Sequence, residues 1–415
     1  MTTQHSIVSA TGIEIVDTAG HTVTDLAAAL ASCLGHRHPD VVAAITTACQ
    51  SDLGAGFTPA DPLHLVSLGE PFSGFRFAQV VASASEANEC AIRIARMAGQ
   101  SSVAEGGGDG GASDRFRIVT VLGGYHGDTL ACRSAGGRFE DQTANLPLAP
   151  GFRHVAAGDA RAIAKAVDGQ TAAVLIAPVD WAAGGEPFAA DYLRQVRQIC
   201  DDAGALLIID ETRLPPAISG RWFFHQSAEI AADVVTASAG WTGGLAGGLV
   251  LVGESVPAGA VVAAPSASDE ELAKNARHVE TLLPPAGRSA LPQSDVPVLR
   301  EVVAATAAAV RKMGGPESVA PVAGRWAEHW DALAEGFEFV NRVSTLGLWA
   351  MVRFDLPASD VQNAAAAESI RLLRSGETSL IACLPMMTTT ENAEEMIFGR
   401  LRQALETIER QTIES

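Results

Sequence analysis

The sequence predicts an α/β protein with a mostly parallel central sheet covered by helices, followed by a smaller α/β domain. From residue 78 to about 260, short apolar runs alternate with helical segments. Continuous apolar runs are typical of parallel strands that are buried on both faces. A connection rich in Pro, Ala and Ser (256–300) comes next, and helices resume after it. The chain of 415 residues is 47% hydrophobic, which is enough for more than one domain core.

The N-terminal region begins with strands and continues with a helix. Residues 10–30 predict two short strands around a turn at 18–20. The segment HPDVVAAITTACQ (38–50) predicts a helix, because Pro39 falls in its first turn.

The middle of the chain supplies the strands of the large sheet. Helices are predicted between them at 84–99 and 189–204. The strand segments are AQVVAS (78–83), RIVTVLG (117–123), AAVLIAPV (172–179), ALLIID (205–210), DVVTASA (233–239) and GGLVLVG (247–253).

The C-terminal part predicts helices at 297–313 and 321–336, a strand near 348–354 and a last helix at 391–411. We therefore predict a large domain over 45–290. The small domain would combine 1–44 with 291–415.

Charge and cysteine usage exclude several classes of function. The net charge is −19 and no run of Lys or Arg occurs, so nucleic acid and anionic membranes are not expected partners. We expect neither a secretory signal nor a membrane span, and the six cysteines are scattered. We expect reduced thiols and a cytoplasmic protein. No metal site is expected, because HExxH and Cys/His clusters are absent.

Six sequence blocks together resemble the class III aminotransferases, the fold-type-I enzymes that use pyridoxal phosphate. The resemblance runs from about residue 10 to 410 and implies a fold-type-I aminotransferase-like architecture. The blocks are LGHRHPDVVAAI (34–45), SASEANECAIRIAR (83–96), GGYHGDT (123–129), PVDWAAGGEPFAADYLRQVRQICDDAGALLIIDE (178–211), DVVTASAGWTGG (233–244) and HVET (278–281).

The resemblance assigns one set of residues to the cofactor phosphate. Ala84, Ser85 and Glu86 open a helix after a strand, where free backbone N–H groups attract an anion. The alternative is an ordinary helix cap at Ser85. Thr281 matches a hydroxyl that reaches the phosphate from the neighbouring subunit, which implies a homodimer.

A second set matches the residues around the cofactor ring. Tyr125 matches the aromatic residue that stacks on the ring, and His126 follows it. Asp210 matches the carboxylate that pairs with the ring nitrogen, and it ends a strand where α/β proteins bind ligands. The alternative is an aspartate that only caps the next turn.

The pattern departs from the family at its central residue. Ala239 stands where the resemblance places the Schiff-base lysine, and alanine can form no Schiff base. Thr212 and Arg213 replace a valine and a polar residue near the ring, and Ala382 replaces an arginine that holds the substrate carboxylate. Several positions have changed together, which indicates natural divergence rather than one engineered substitution.

These departures predict an atypical enzyme that uses the former cofactor pocket on a small metabolite. Pyridoxal phosphate or pyridoxamine phosphate, if bound at all, would be held without a covalent bond. His126, Asp210 and Arg213 are the candidates for acid–base or electrostatic work. Two alternatives stay open. One is a catalytically silent subunit in a heterodimer with an active class III aminotransferase, and the other is a ligand-sensing binding protein.

Overall fold

The N-terminal segment forms a small sheet. The structure is a computed structural model that describes residues 6–51, 63–101, 115–138, 143–256, 296–386 and 391–414. Three antiparallel strands come first: β1 (Ile7–Thr11), β2 (Glu14–Asp17) and β3 (Thr22–Asp25). The predicted turn at 18–20 joins β2 to β3, whereas β1 was not predicted. Its side chains are mostly exposed, so it has no apolar run to mark it.

The large sheet has seven strands, and all six predicted strand segments contribute to it. Its strands are β4 (Phe77–Val81), β5 (Arg117–Val121), β6 (Phe152–Val155), β7 (Thr171–Ile176), β10 (Leu206–Glu211), β11 (Val234–Ala237) and β12 (Gly248–Val252), in the spatial order β4-β12-β11-β10-β7-β5-β6. The pairs among β5, β6, β7, β10 and β11 are parallel, and β12 runs antiparallel to both of its neighbours. The mostly parallel sheet is therefore confirmed.

Two short strands, β8 (Val179–Asp180) and β9 (Glu186–Pro187), form a hairpin beyond the end of β7. This hairpin carries Trp181, which packs against Trp349 of the C-terminal sheet with ring centroids 6.2 Å apart. The hairpin therefore connects the large sheet to the C-terminal part of the chain.

The C-terminal part forms an antiparallel sheet, of which the sequence predicted one strand. The strands are β13 (Val340–Leu346), β14 (Trp349–Phe354), β15 (Ile370–Arg371), β16 (Leu373–Arg374) and β17 (Ser379–Cys383). Four of them follow the order β13-β14-β17-β16, while β15 pairs with β3 of the N-terminal sheet. The proposed domain boundaries stay a prediction.

Helices pack against the large sheet and the C-terminal sheet. The predicted helices at 84–99, 189–204 and 297–313 are present with small changes at their ends. The α-helices are Ala28–Ala31, Pro39–Ser51, His64–Ser67, Ala84–Ser101, Leu130–Gly136, Ala160–Ala166, Ala190–Ala203, Pro297–Lys312, Ala320–Gly336, Ala358–Ala367 and Glu391–Glu414, with 3₁₀ turns at Phe224–Ala228 and Pro316–Val319. No helix among the described residues is both long and apolar enough to span a membrane.

Candidate functional site

The candidate site lies at the carboxyl ends of β7, β10 and β11. Asp210 is the fifth residue of β10, and it pairs in register with Thr236 of β11. Parallel strands place their carboxyl ends at one edge, where α/β proteins bind ligands. Asp210 is only 3% exposed, so its charge must be compensated within the protein.

Four close donors surround the Asp210 carboxylate. Its Oδ2 lies 2.7 Å from Nδ1 of His126 and accepts from Nδ2 of Asn88 at 2.9 Å. Its Oδ1 accepts from the backbone N–H of Thr212 at 2.9 Å and from the Thr212 hydroxyl at 2.6 Å. Each carboxylate oxygen has about two lone-pair positions. The carboxylate is therefore filled by donors of this chain.

The same contacts keep Asp210 ionised. Burial alone raises its pKa, but the hydrogen bonds from His126 and Thr212 and the charge of His126 outweigh burial. The net pKa of Asp210 lies below its ordinary value of 3.8. Because an ionised carboxylate only accepts, Nδ1 of His126 must donate to it.

His126, an acid–base candidate from sequence, lies inside this buried network. It is 2% exposed, and its backbone carbonyl accepts from Asn88 at 2.8 Å. Its Nε2 lies 3.5 Å from the Thr120 hydroxyl. A Cβ added at Gly124 would lie 3.0 Å from the same Nε2, so the glycine makes room for the ring. His126 therefore contacts the protein on both ring nitrogens.

The helix Ala84–Ser101 begins at the phosphate position predicted from sequence. Its first turn has one capped donor: the Glu86 N–H donates to the Ser83 hydroxyl at 3.0 Å, while the Glu86 carboxylate accepts from the Ala82 N–H at 2.7 Å. The residue that caps this helix is Ser83, not Ser85. The Ser85 hydroxyl instead accepts from the Asp128 N–H at 3.0 Å and packs under Gly127.

Tyr125 lies in the loop after β5 and is half-buried. Its hydroxyl donates to Asp128 at 2.9 Å. Burial, together with this bond to Asp128, raises the pKa of the phenol, so it is a neutral donor. The guanidinium carbons of Arg213 and Arg133 lie 5.4 and 5.7 Å from its ring centroid.

Arg213 follows β10 and stacks on an aromatic residue that the sequence did not single out. Its guanidinium carbon lies 3.9 Å from the ring centroid of Trp181, at the hairpin of β8 and β9. No hydrogen bond or ion pair joins this guanidinium to another residue within the described ranges. Burial lowers the pKa of Arg213, the charge of Asp210 raises it and that of Arg138 lowers it. An arginine nevertheless stays protonated at every physiological pH.

Ala239 is the second residue after β11, beside the end of β10. Its N–H donates to the Thr212 carbonyl at 3.0 Å, so position 239 lies next to Arg213. Lys165 and Lys312 lie on exposed faces of two helices elsewhere. Lys274 and Thr281 lie outside the described residues. Ala382 is buried in β17 and lines an apolar cavity of the C-terminal sheet.

Three residues that contribute to the site were not predicted from the sequence: Asn88, Trp181 and Arg138. Asn88 lies one turn into the helix that begins at Ala84, within the SEAN motif. This position is the only feature of the sequence that could have indicated its role. Arg138 donates through Nε to the Gly123 carbonyl at 3.3 Å. Gly123 in turn packs against Ala182, the neighbour of Trp181. Within the described part of the chain, no group of acidic, His and Cys side chains could hold a metal ion.

Comparison with known proteins settles the family. The family described as aminotransferase class-III matches residues 2–263. The chain belongs to the class III aminotransferases. Acetylornithine aminotransferase of Xanthomonas axonopodis pv. citri is 35% identical over 252 residues, which cover 59% of this chain and 60% of that protein. This chain thus matches about three fifths of the length of that relative.

A second relative extends the similarity over nearly the whole chain. Acetylornithine aminotransferase of Mycolicibacterium smegmatis is 29% identical over 408 residues, covering 97% of this chain and 94% of that protein. Two solved structures share the fold. Ornithine aminotransferase from Toxoplasma gondii has a TM-score of 0.78 at 20% identity, covering 98% of this chain and 91% of the other. N-acetylornithine aminotransferase from Stenotrophomonas maltophilia has a TM-score of 0.71 at 23% identity, covering 99% of this chain and 97% of the other.

This class III aminotransferase offers pyridoxal phosphate only part of the expected site. The first turn of the helix at Ala84 suits an anion, since the N–H groups of Ala84 and Ser85 have no acceptor among the described residues. The ring end does not fit. Asp210 has no free lone pair, Arg213 lies over Tyr125, and Ala239 lacks an amine.

Proposed function

We propose that this class III aminotransferase binds a small anionic metabolite without a covalent bond and does not catalyse ordinary transamination. The observation that carries the proposal is the pairing of two neighbouring positions. Ala239 offers no amine, and Arg213 beside it presents a guanidinium that stacks on Trp181 but has no hydrogen-bond or ion-pair partner in the described ranges. The site therefore lacks a nucleophilic amine at position 239 and has a permanently charged guanidinium beside it.

The absence of an amine at position 239 removes the covalent step. An ordinary aminotransferase needs a lysine to hold the cofactor as an imine and to move the substrate proton. A methyl group does neither. Any pyridoxal phosphate or pyridoxamine phosphate that enters is held only by non-covalent contacts.

Arg213 supplies binding chemistry in its place. A guanidinium is a poor nucleophile but presents five N–H donors in one plane, which match a carboxylate or a phosphate. Its face lies on Trp181, so the side chain is oriented before a ligand arrives. Pre-orientation reduces the entropy lost on binding.

Binding is better supported than acid–base catalysis. His126 and Asp210 bond to each other and to Asn88 in a network with almost no exposure. A general base must reach the proton that it removes, and these two groups are hydrogen-bonded to protein groups instead. The function favoured here is therefore that of a ligand-binding protein, with an atypical enzyme and a silent subunit as the alternatives.

The test combines chemical trapping with an exchange assay. The purified protein is incubated with pyridoxal phosphate, reduced with borohydride and mapped by peptide mass spectrometry. We expect no reduced adduct in residues 233–244 and no amino-group exchange between amino donors and keto acids. An adduct in that segment, or measurable exchange, would contradict the proposal.

The alternatives have their own outcomes. Turnover of a small metabolite without exchange would favour the atypical enzyme. Co-purification with a lysine-bearing class III aminotransferase, together with no ligand binding by this chain, would favour the silent subunit. A homodimer that binds small anions stoichiometrically is the result expected for the ligand-binding protein.

A further inference from the structure

We propose that Thr212 and Arg213 fill the contacts that a pyridine ring would use, so that the pocket excludes aromatic cofactors and selects a compact, non-aromatic dianion. The inference rests on the proposed function, because it names the class of anion that the non-covalent site takes. Two anion chemistries fit, a short dicarboxylate and free phosphate. The experiment below separates them.

The first blocked contact is the carboxylate. A ring nitrogen bound to Asp210 would need a free lone pair on Oδ1 or Oδ2. The Thr212 hydroxyl lies 2.6 Å from Oδ1, and the Thr212 N–H donates to the other lone pair of the same oxygen. His126 and Asn88 occupy Oδ2 at 2.7 and 2.9 Å. A ligand N–H would therefore have to displace a buried protein donor and leave it unpaired, which weakens binding.

The second blocked contact is the stacking face. Aromatic rings stack with centroids about 4.5–7 Å apart. The guanidinium carbon of Arg213 lies 5.4 Å from the Tyr125 centroid, within the space that a stacked ring would take. Arg213 is also held 3.9 Å from the Trp181 centroid. The planar guanidinium of Arg213 therefore occupies the position that a pyridinium ring would take.

What remains open is the edge of the guanidinium. Stacking on Trp181 uses the face of the group and leaves its in-plane N–H donors for a ligand. The nearby guanidinium of Arg138 donates one N–H to Gly123 and is otherwise exposed. Arg138 lies on the same side of the hairpin, because Gly123 packs against Ala182 beside Trp181, so a dianion at the edge of Arg213 would be attracted by both guanidinium groups. Such a ligand needs no aromatic ring.

Calorimetry on the full-length protein tests the inference with four probes: succinate, inorganic phosphate, pyridoxamine phosphate and pyridoxal phosphate. We expect succinate or phosphate to bind the natural protein at least about tenfold more tightly than either aromatic probe. Which of the two binds better tells a dicarboxylate site from a phosphate site. Arg213→Gln should weaken that binding by at least about tenfold, the size expected for lost charge-assisted hydrogen bonds.

Two further variants complete the design. Arg221→Gln is the matched control, because Arg221 is half-exposed on the same connection and pairs with Glu317; it should bind all four probes as the natural protein does. The double variant Thr212→Val, Arg213→Gln should gain at least about tenfold in affinity for pyridoxamine phosphate, since it frees both contacts. Urea unfolding of every variant confirms that a change in binding is not a loss of folding.

The outcomes distinguish a failure of the proposed ligand selectivity from a failure of non-covalent binding. Tight pyridoxamine phosphate binding by the natural protein that Arg213→Gln leaves unchanged would overturn this inference while leaving non-covalent binding intact. A double variant that folds but gains no affinity for pyridoxamine phosphate would also overturn it. No heat from any probe up to millimolar concentration would overturn both this inference and the proposed function. A borohydride-stable adduct in 233–244 would overturn the proposed function itself.

Discussion

Replacing Asp210 by asparagine tests whether this carboxylate is a structural anchor or a group held ready for a ligand. The carboxylate accepts from His126, Asn88 and Thr212, and it is 3% exposed. An amide accepts through only one oxygen, so its NH₂ group would face donors. At least one buried donor loses its partner at a cost of about 1–3 kcal/mol, and the remaining bonds lose their charge assistance.

We therefore expect Asp210→Asn to lower the free energy of unfolding by about 2–4 kcal/mol in the ligand-free protein. Urea unfolding followed by circular dichroism and fluorescence provides the measurement. Asp191→Asn is the control, because Asp191 is exposed and its ion pair with Arg194 lies on the surface. Its effect should stay within about 0.5 kcal/mol.

The pH dependence of the Asp210→Asn effect follows from the lowered pKa of Asp210. A carboxylate with a lowered folded-state pKa stabilises the protein fully above its unfolded pKa, and this stabilisation is lost as the pH falls through the folded value. The stabilisation that Asp210 provides over asparagine should therefore still be present at about pH 5 and narrow only below about pH 4. An asparagine variant as stable as the natural protein would refute the reasoning, because a carboxylate kept free for a ligand destabilises the unliganded fold.

Three further predictions concern the loop at 239–240 and the assembly. Gly240→Ala should lower the free energy of unfolding in urea by about 2–4 kcal/mol, because Gly240 has φ +76° and a Cβ there would lie 2.5 Å from Cβ of Pro215. The control is Gly324→Ala, where an added Cβ would have no atom within 4 Å. This variant should be as stable as the natural protein or more stable by up to about 1 kcal/mol. Equal costs for the two would contradict the contact at Pro215. Ala239→Lys alone should show little of the visible absorbance of a Schiff base with pyridoxal phosphate, because Arg213 occupies the place of the ring. Adding Arg213→Gln should increase this absorbance, and equal absorbance in both variants would count against a ring position filled by Arg213. Light scattering at micromolar concentration should give a homodimer, and a monomer would contradict the expectation drawn from the resemblance.

The large sheet could be predicted from sequence because its strands are continuous apolar runs. Strands such as β7 and β10 are buried along nearly their whole length, so their composition alone marks them. The antiparallel direction of β12 and the position of β6 could not be predicted in this way. Direction depends on the path of the chain between strands, and β6 is only partly buried.

The residues of the candidate site were predictable one by one, but their contacts were not. Asp210 and Tyr125 stood out by their positions in sequence blocks, and Arg213 stood out as a departure from the family pattern. The bond from Asn88 to Asp210 joins residues 122 positions apart, and no local pattern records it. The stacking of Arg213 on Trp181 also joins two separate segments. A cation over an aromatic face leaves no periodic signal in sequence, so only the fold shows that Arg213 has a defined place.

A crystal structure of the protein grown with pyridoxamine phosphate and succinate both present tests the central claim most directly. The account predicts the Arg213 guanidinium on Trp181, succinate or another small anion at its edge, and all four donors still on Asp210. An aromatic ring stacked on Tyr125, with its nitrogen bonded to Asp210 and Arg213 displaced, would contradict it.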